Sequence, residues 1–403
     1  MRGILIATDR MPPDYTGAGL RAMRFSQRMS DRYNLPIKIL CRGKNRSKEQ
    51  IERITMKRIK TIEEEGLMFP IYLIQTFIKT NLYLMKNRKE FDIIHFFSFS
   101  WMNRIIMWSN ILFYKKKTLM EVTLDGSDDP VSLLNDGKRN KLFKRFTKYL
   151  LKKIDKFIVS SRYGLKSCLD IGIDENKVVL LPHPCNKNDF GSIALNKRIE
   201  LRKKLRLPIA KFIMLNVGAI YTRKNQLFLI ECIKELKNQD IVLILIGPPS
   251  ESEPQYLSKV EANIEKNKLK KQIIIVGPKI NINEYMIASD IFVFASRNEG
   301  FPNVIAESIM SGLPVITTHL DCISQYMNYN TGIMIKDESE YKQIKAFCNA
   351  INLVYTKEKI FNRGNIRKFG INNLSTEKVD HKFYLLYKEL LNNRPANLRK
   401  QND

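Results

Sequence analysis

The chain has 403 residues, 44% of them apolar, which is enough for two hydrophobic cores and excludes a globally disordered protein. Its 68 Lys and Arg residues outnumber its 41 Asp and Glu residues, and the net charge of +27 attracts nucleic acid, nucleotide phosphates or an anionic membrane face. The six cysteines show no CxxC spacing and no secretory signal precedes them, so we expect a cytoplasmic protein with reduced thiols and no disulfide framework or zinc site.

Short runs rich in Ile, Val and Leu recur through the first half of the chain, with stretches of helical spacing between them. Continuous apolar runs of this length are typical of strands buried on both faces of a parallel sheet. The runs are 3–8, 36–41, 92–97, 118–123, 156–161 and 178–182. We therefore predict a doubly wound, Rossmann-like domain over residues 1–195.

The segment after the first run, "MPPDYTGAGLRAMRFSQRM", contains Gly17 and Gly19 and leads into a predicted helix. Glycines at such a place let the backbone approach a ligand closely. The segment is not the GxGxxG dinucleotide fingerprint, because Ala22 stands where the third glycine is needed. On its own, a GxG in a loop most often marks a turn.

Residues 66–117 hold two apolar stretches with basic residues beside them, which include Lys86, Lys89 and the run Lys115 to Lys117. Both stretches are too short to cross a bilayer. Apolar faces beside cations suit a segment that lies on an anionic membrane surface, and we expect a peripheral location on the inner face of the cell membrane. The alternative is that these helices pack on the first sheet and their lysines are solvated.

Two polar features follow strands of the first domain. His95 ends the strand "DIIHFF", where a single histidine is more often a core residue than a functional one. The segment "EVTLDGSDDP" contains Asp125, and its Gly, Ser, Asp and Pro content by itself indicates a turn.

A polar segment without strand character, 186–208, separates the first series of strands from a second one. The second series comprises 211–218, 241–247, 272–277, 291–296, 314–318 and 331–335. It predicts a second Rossmann-like domain over residues 196–375. The remaining residues, 376–403, begin with helical spacing, so we predict a helix that packs back on the first domain and ends in a frayed tail.

The segment "NVGAIYTRKNQ" places Gly218 at a strand end and the adjacent cations Arg223 and Lys224 before a helix. Cations at a strand-to-helix corner suit a diphosphate, because Lys acts as a point charge and Arg as a two-pronged donor.

The segment "NEGFPNVIAESIMSGLPVI" holds two acids, Glu299 in a loop and Glu307 in the first turns of a helix that Pro302 helps to begin. Free N–H groups and the positive helix end at such a junction bind anions in the crevice of a parallel sheet. A carboxylate one to two turns into the helix can accept hydrogen bonds from a ribose. The acids could instead simply favour a helix N-terminus. We expect no metal, because the nearest histidine, His319, lies beyond the next strand.

Together these segments resemble the retaining glycosyltransferases of family 4, whose fold has two Rossmann-like doubly wound domains facing across a cleft (GT-B). "EGFPNVIAES" matches the E-x7-E motif of that family, "VGAIYTRKNQ" its donor-diphosphate segment, and residues 160–186 the end of its first domain. The resemblance extends over residues 3–390 and is strongest over 211–320.

By this resemblance, Glu307 would hold the ribose of a nucleotide sugar, and Glu299 would lie near the donor sugar. Lys224 and Arg223 would neutralise the leaving diphosphate. The remaining positions that would line the donor site are Gly17, Gly19, Gly218, Gly300, Phe301, Pro302 and Asn303. The chain departs from the family pattern at Ala219, where many members carry Arg, and at Asp125, which stands where many members carry an acceptor-side His.

The resemblance implies a retaining glycosyltransferase that moves a hexosyl-type sugar from a nucleotide-sugar donor to a glycan or polyprenyl-linked acceptor, in cell-envelope polysaccharide or glycoconjugate synthesis and without a cofactor. A sugar-nucleotide epimerase or a phosphorylase on the same fold is an alternative. So is a nucleic-acid-binding protein, although the cations form no compact stripe and no binding module is recognisable, so we expect no specific nucleic acid as partner. A non-catalytic scaffold is the remaining alternative, and the intact Glu299, Glu307 and Lys224 argue against it.

Overall fold

The computed structural model describes residues 1–12, 17–43, 47–51, 53–61, 68–123, 128–135, 141–190, 195–336 and 338–392. The chain forms two compact units. Met1–Leu181 and the chain from Asp380 onward make up the first unit, and Pro182–Val379 make up the second. The sequence analysis placed the corresponding boundaries at 195 and 375.

The first unit is built on one sheet, which in the described part of the chain has eight strands in the order β3-β4-β2-β1-β5-β6-β7-β8. All neighbours are parallel except β3 and β4, which pair antiparallel at the edge. The strands are β1 (Ile4–Arg10), β2 (Ile37–Gly43), β3 (Ser47–Ile51), β4 (Ile54–Lys60), β5 (Ile93–Phe97), β6 (Lys117–Glu121), β7 (Lys156–Val159) and β8 (Val178–Leu180). Six of them were predicted; β3 and β4 were not.

Helices connect these strands, as the spacing of apolar residues predicted. They are α1 (Gly17–Tyr33), α2 (Phe69–Asn87), α3 (Trp101–Ser109), α4 (Pro130–Asn135), α5 (Lys141–Lys152) and α6 (Arg162–Asp170), and a π-helical turn, Asn110–Tyr114, continues α3.

The second unit contains a wholly parallel sheet with the strand order β11-β10-β9-β12-β13-β14 over the described residues. Its strands are β9 (Phe212–Val217), β10 (Ile241–Ile246), β11 (Ile273–Gly277), β12 (Ile291–Phe294), β13 (Val315–Thr318) and β14 (Gly332–Ile335). Its helices are α7 (Leu195–Lys204), α8 (Gln226–Leu236), α9 (Gln255–Lys266), α10 (Ile282–Ala288), α11 (Asn303–Met310), α12 (Glu340–Tyr355) and α13 (Arg363–Leu374), and α14 (Thr376–Asn392) follows. The predicted pair of doubly wound sheets is confirmed.

The strands of the second sheet are mostly apolar because helices cover both of its faces. All six residues of β10 are buried. Side chains alternate between the two faces of a strand, so Leu243 and Leu245 pack in one apolar cluster while Val242 and Ile244 pack in another. Because the strand interiors are mostly apolar, the strand ends and their loops carry most of the polar side chains.

Helix α14 contributes its residues from Asp380 onward to the first unit. The Asp380 side chain is fully buried and accepts hydrogen bonds from Arg28 (2.9 Å) and Arg32 (2.8 Å) on α1. Further along, the Tyr387 hydroxyl lies 2.7 Å from Nδ1 of His95 in β5. The last helix therefore packs in the first unit, whose strands all come from the first half of the chain.

Candidate functional site

The candidate site in the second unit lies where the strand order of its sheet reverses. Strand β9 has β10 on one side and β12 on the other: the chain runs from β9 through β10 to β11 at one edge, and then crosses to β12 on the other side of β9. The carboxyl ends of strands on either side of such a reversal form the usual ligand crevice of a doubly wound sheet. The loops that follow β9 and β12 are the two segments that the sequence analysis singled out.

The loop after β9 is held close to the loop after β10. Gly247 has φ +154°, and a Cβ there would lie 2.0 Å from the carbonyl oxygen of Gly218, so only glycine allows this approach. The amide of Thr222 donates to Glu253 at 3.1 Å. Asn225, with φ +56°, then turns the chain into α8. These contacts fix the two cations that lie between Thr222 and Asn225.

Glu299, in the loop after β12, joins both of those cations. One carboxylate oxygen lies 2.7 Å from Nζ of Lys224, and the other lies 2.8 Å from the guanidinium of Arg223. The hydroxyl of Ser296 donates to the same carboxylate at 2.6 Å. The Glu299 side chain is only 8% exposed, whereas Arg223 is 38% exposed. The result is a fixed carboxylate that orients one largely buried cation, Lys224, and one more exposed cation, Arg223.

The charge state of Glu299 follows from its surroundings. Burial alone would raise the pKa of its carboxyl, but the charge of Lys224 and the hydrogen bonds from Lys224, Ser296 and Arg223 outweigh burial, so the pKa is lowered. For Arg223, burial would lower the pKa, but the hydrogen bond and the charge of Glu299 raise it. Glu299 is therefore ionised near neutral pH and has no proton to donate.

The backbone from Gly300 to Pro302 leads directly into α11, which begins at Asn303. Phe301 and Pro302 are buried, Asn303 is exposed, and Glu307 lies half-buried in the second turn of the helix. The predicted strand–loop–helix junction is confirmed. Glu299 and Glu307 lie on different elements, as the sequence indicated.

His183 is a residue of this region that the sequence analysis did not identify. Its Nδ1 lies 3.0 Å from the side-chain oxygen of Asn303, and its ring centroid lies 4.7 Å from that of Phe301. His183 thus supports the start of α11 from a segment more than a hundred residues earlier in the chain. Its place in "LLPHPCN", directly after β8, was the signal that could have identified it.

The remaining predicted site residues lie in the first unit. Gly17 is the first residue of α1, and Gly19 is buried in its first turn. Asp125 lies outside the described residues. His95 is fully buried in the core, where burial and the nearby charge of Arg21 lower its pKa well below the ordinary value. The interpretation of His95 as a core residue is confirmed.

Residues 197–366 match the family model described as glycosyl transferases group 1. One curated relative, the UDP-Gal:alpha-D-GlcNAc-diphosphoundecaprenol alpha-1,3-galactosyltransferase of Escherichia coli, is 27% identical over 56% of this chain and 57% of its own length. Another is the N-acetylgalactosamine-N,N'-diacetylbacillosaminyl-diphospho-undecaprenol 4-alpha-N-acetylgalactosaminyltransferase of Campylobacter jejuni, 28% identical over 44% of this chain and 46% of its own length. The chain spans about half the length of these curated relatives.

Solved structures share the fold at low sequence identity. The crystal structure of Anabaena HepE in complex with UDP has a TM-score of 0.75 and 12% identity, with 96% of this chain and 100% of that chain covered. A glycosyltransferase from Rickettsia africae has a TM-score of 0.76 and 20% identity, with 98% and 100% covered. The chain therefore has the predicted GT-B fold of two Rossmann-like domains, and its residues 197–366 match the model of the glycosyl transferases group 1 family.

Proposed function

We propose that this protein is a retaining glycosyltransferase of family 4, which moves a hexosyl-type sugar from a nucleotide-sugar donor to a glycan or polyprenyl-linked acceptor. The observation that carries the proposal is the cluster of Glu299, Lys224 and Arg223 between the carboxyl ends of β9 and β12. Two relatives named above act on sugars linked to diphosphoundecaprenol, and the HepE structure contains UDP.

In such a transfer, the bond between the sugar and the diphosphate breaks, the acceptor hydroxyl forms a bond to the same carbon, and its proton passes to the departing diphosphate. Negative charge grows on the departing diphosphate. Lys224 and Arg223 are already in place to stabilise that charge, so little reorganisation is needed when it appears. We assign this role to the two cations and propose no metal ion.

Glu299 serves binding and orientation in this scheme. A glycosidase needs one carboxyl group that can donate a proton to the leaving group. The lowered pKa of Glu299 makes it unsuited to that task. Its contacts instead fix the position of Lys224 and Arg223, and we propose that Glu307, one turn inside α11, accepts hydrogen bonds from the ribose of the donor.

We propose that the acceptor is bound by residues of the first unit, with Asp125 at the position of the family's histidine. A polyprenyl-linked acceptor would place the reaction at the cytoplasmic face of a membrane. Synthesis of a cell-envelope polysaccharide or glycoconjugate is the setting that the relatives named above suggest.

The test is a thermal-shift panel of nucleotides and nucleotide sugars, followed by reaction with the best donor and a synthetic polyprenyl-diphosphate sugar. Ligands that bind only the folded state raise the apparent melting temperature. We expect one nucleoside diphosphate and its sugar to stabilise the protein, and the product to keep the anomeric configuration of the donor by NMR. Conversion of the donor sugar without an acceptor would identify an epimerase instead, and an inverted product would remove the assignment to family 4.

A further inference from the structure

Helix α2 of the first unit presents most of its aliphatic side chains to solvent, whereas Leu84 and the side chains of Tyr72, Thr76 and Thr80 are buried. The Thr80 hydroxyl donates to the carbonyl of Thr76 at 2.7 Å. Its exposed face carries an apolar row, named here the α2 stripe: Ile71, Ile74, Ile78, Leu82 and Met85, each 45 to 60% exposed. Spacings of three and four residues align these side chains along one side of the helix.

Exposed apolar side chains continue on the elements next to α2. Trp108 in α3 is 39% exposed and packs beside Phe77 of α2, with ring centroids 5.7 Å apart. The π-helical turn that follows exposes Leu112 and Phe113. Together these residues form a contiguous exposed apolar patch. A large patch of this kind usually marks an interaction site.

Helix α5 extends the surface on the other side of Trp108, since Phe146 lies 6.1 Å from the indole ring. It exposes Leu142 (73%) and Tyr149 (46%). The helix has no acidic residue, and its basic residues are Lys141, Lys144, Arg145, Lys148 and Lys152.

The apolar surface is bordered by positive charge. Residues 69–117 contain eight basic residues and two acidic ones. Lys86 and Lys89 lie exposed at the end of α2, and Lys115 lies exposed after the π-helical turn. Apolar groups bordered by exposed cations complement a lipid surface, where acyl chains take up the apolar side chains and anionic headgroups lie beside the lysines.

We propose that the α2 stripe, together with Trp108, Leu112, Phe113 and the exposed face of α5, docks the first unit on an anionic lipid bilayer. A second copy of the chain is a poor occupant, because a two-fold contact would set the same cations against one another. The helix lies on the surface rather than crossing it, since no helix in the described ranges is long and apolar enough to span a membrane. This inference does not depend on the proposed transfer reaction.

The experiment is sedimentation of the full chain with phosphatidylglycerol-containing vesicles, compared with vesicles of phosphatidylcholine alone. We expect binding to the anionic vesicles at low salt. The double variant Ile74→Asp/Ile78→Asp should lower the partition coefficient by at least about tenfold, because two side chains can no longer enter the acyl region. Ile280→Asp is the matched control, since Ile280 is fully exposed but lies in the second unit, and it should bind as the wild type does.

A second measurement uses a variant that introduces no charge into the α2 stripe. Trp101 and Trp108 are the two tryptophans of the chain, so Trp101→Phe leaves Trp108 as the sole reporter. Its emission should shift to shorter wavelength with anionic vesicles and be quenched by brominated lipids. Absence of vesicle binding, binding that leaves Trp108 emission unchanged, or a self-association that the double variant abolishes would each overturn the proposal. Donor stabilisation in the thermal-shift panel is measured without vesicles, so failure of either proposal leaves the other intact.

Discussion

Replacing Glu299 with Gln tests whether one carboxylate holds the two cations of the candidate site. The substitution keeps the size of the side chain but leaves Lys224 and Arg223 without their shared anion. Removing one partner of a buried ion pair costs about 3–5 kcal/mol, and we take the lower end, about 3 kcal/mol, because the 38% exposure of Arg223 lets solvent screen it. At about 2–4 °C per kcal/mol, the melting temperature should fall by about 6–12 °C.

The informative measurement is thermal unfolding of wild type and Glu299→Gln with and without UDP. If the proposed donor site is correct, a diphosphate bound to the wild type shares the two cations with Glu299. In the variant it supplies the missing negative charge itself, so UDP should raise the melting temperature of the variant by more than that of the wild type.

The chain offers a matched control at the opposite, amino end of the same strand, β12. Asp290 precedes β12, pairs with Arg198 and Arg202, and accepts a hydrogen bond from the amide of Ile213 at 2.7 Å. Asp290→Asn should destabilise the protein as Glu299→Gln does, but UDP should raise its melting temperature no more than that of the wild type. Equal UDP effects in all three proteins would refute the reasoning that the Glu299 cluster receives a diphosphate.

Three further predictions concern the same site. Because the pKa of Glu299 is lowered by folding, its contribution to the free energy of unfolding is complete above about pH 4.3 and is lost as the pH falls through the folded pKa. The difference in melting temperature between wild type and Glu299→Gln should therefore shrink in acid, and a difference that persists there would contradict this. Glu307→Ala should weaken donor binding by about tenfold or more, because a hydrogen bond to a charged acceptor contributes about 1.5–3 kcal/mol; unchanged affinity in calorimetry would remove Glu307 from the site. Lys224→Ala should lower kcat more than it raises KM, whereas a rise in KM alone would mean that Lys224 binds ground state and transition state equally.

The buried strands could be predicted from sequence because their apolar runs have no other stable environment. The edge hairpin of β3 and β4 could not be predicted, because one face of the hairpin is solvated and the residues of the two strands are largely polar. In β4 every second residue from Ile54 to Arg58 is buried, so the period of two is present, but Lys57 and Arg58 conceal it. Arg58 is buried through hydrogen bonds to Met11 and Pro12 carbonyls, a tertiary contact that no local pattern reveals.

The cations of the candidate site were predicted from sequence, but their pairing was not. Arg223 and Lys224 precede Glu299 by about 75 residues, and only the adjacency of β9 and β12 brings them together. Likewise, the apolar content of α2 was evident from sequence, whereas its orientation was not. Which face of an apolar helix is buried depends on the neighbouring elements, and here the buried face includes Thr76 and Thr80.

The two-segment composition of the first unit has a consequence for synthesis on the ribosome. The second unit is one continuous segment, Pro182–Val379, and can complete its own sheet as soon as that segment emerges. The first unit needs Asp380 to pair with Arg28 and Arg32, and Tyr387 to meet His95. Domains of a nascent chain usually fold in order from the N-terminus. Here the N-terminal sheet emerges first, but until α14 has been synthesised Arg28, Arg32 and His95 lack the residues of that helix with which they pair.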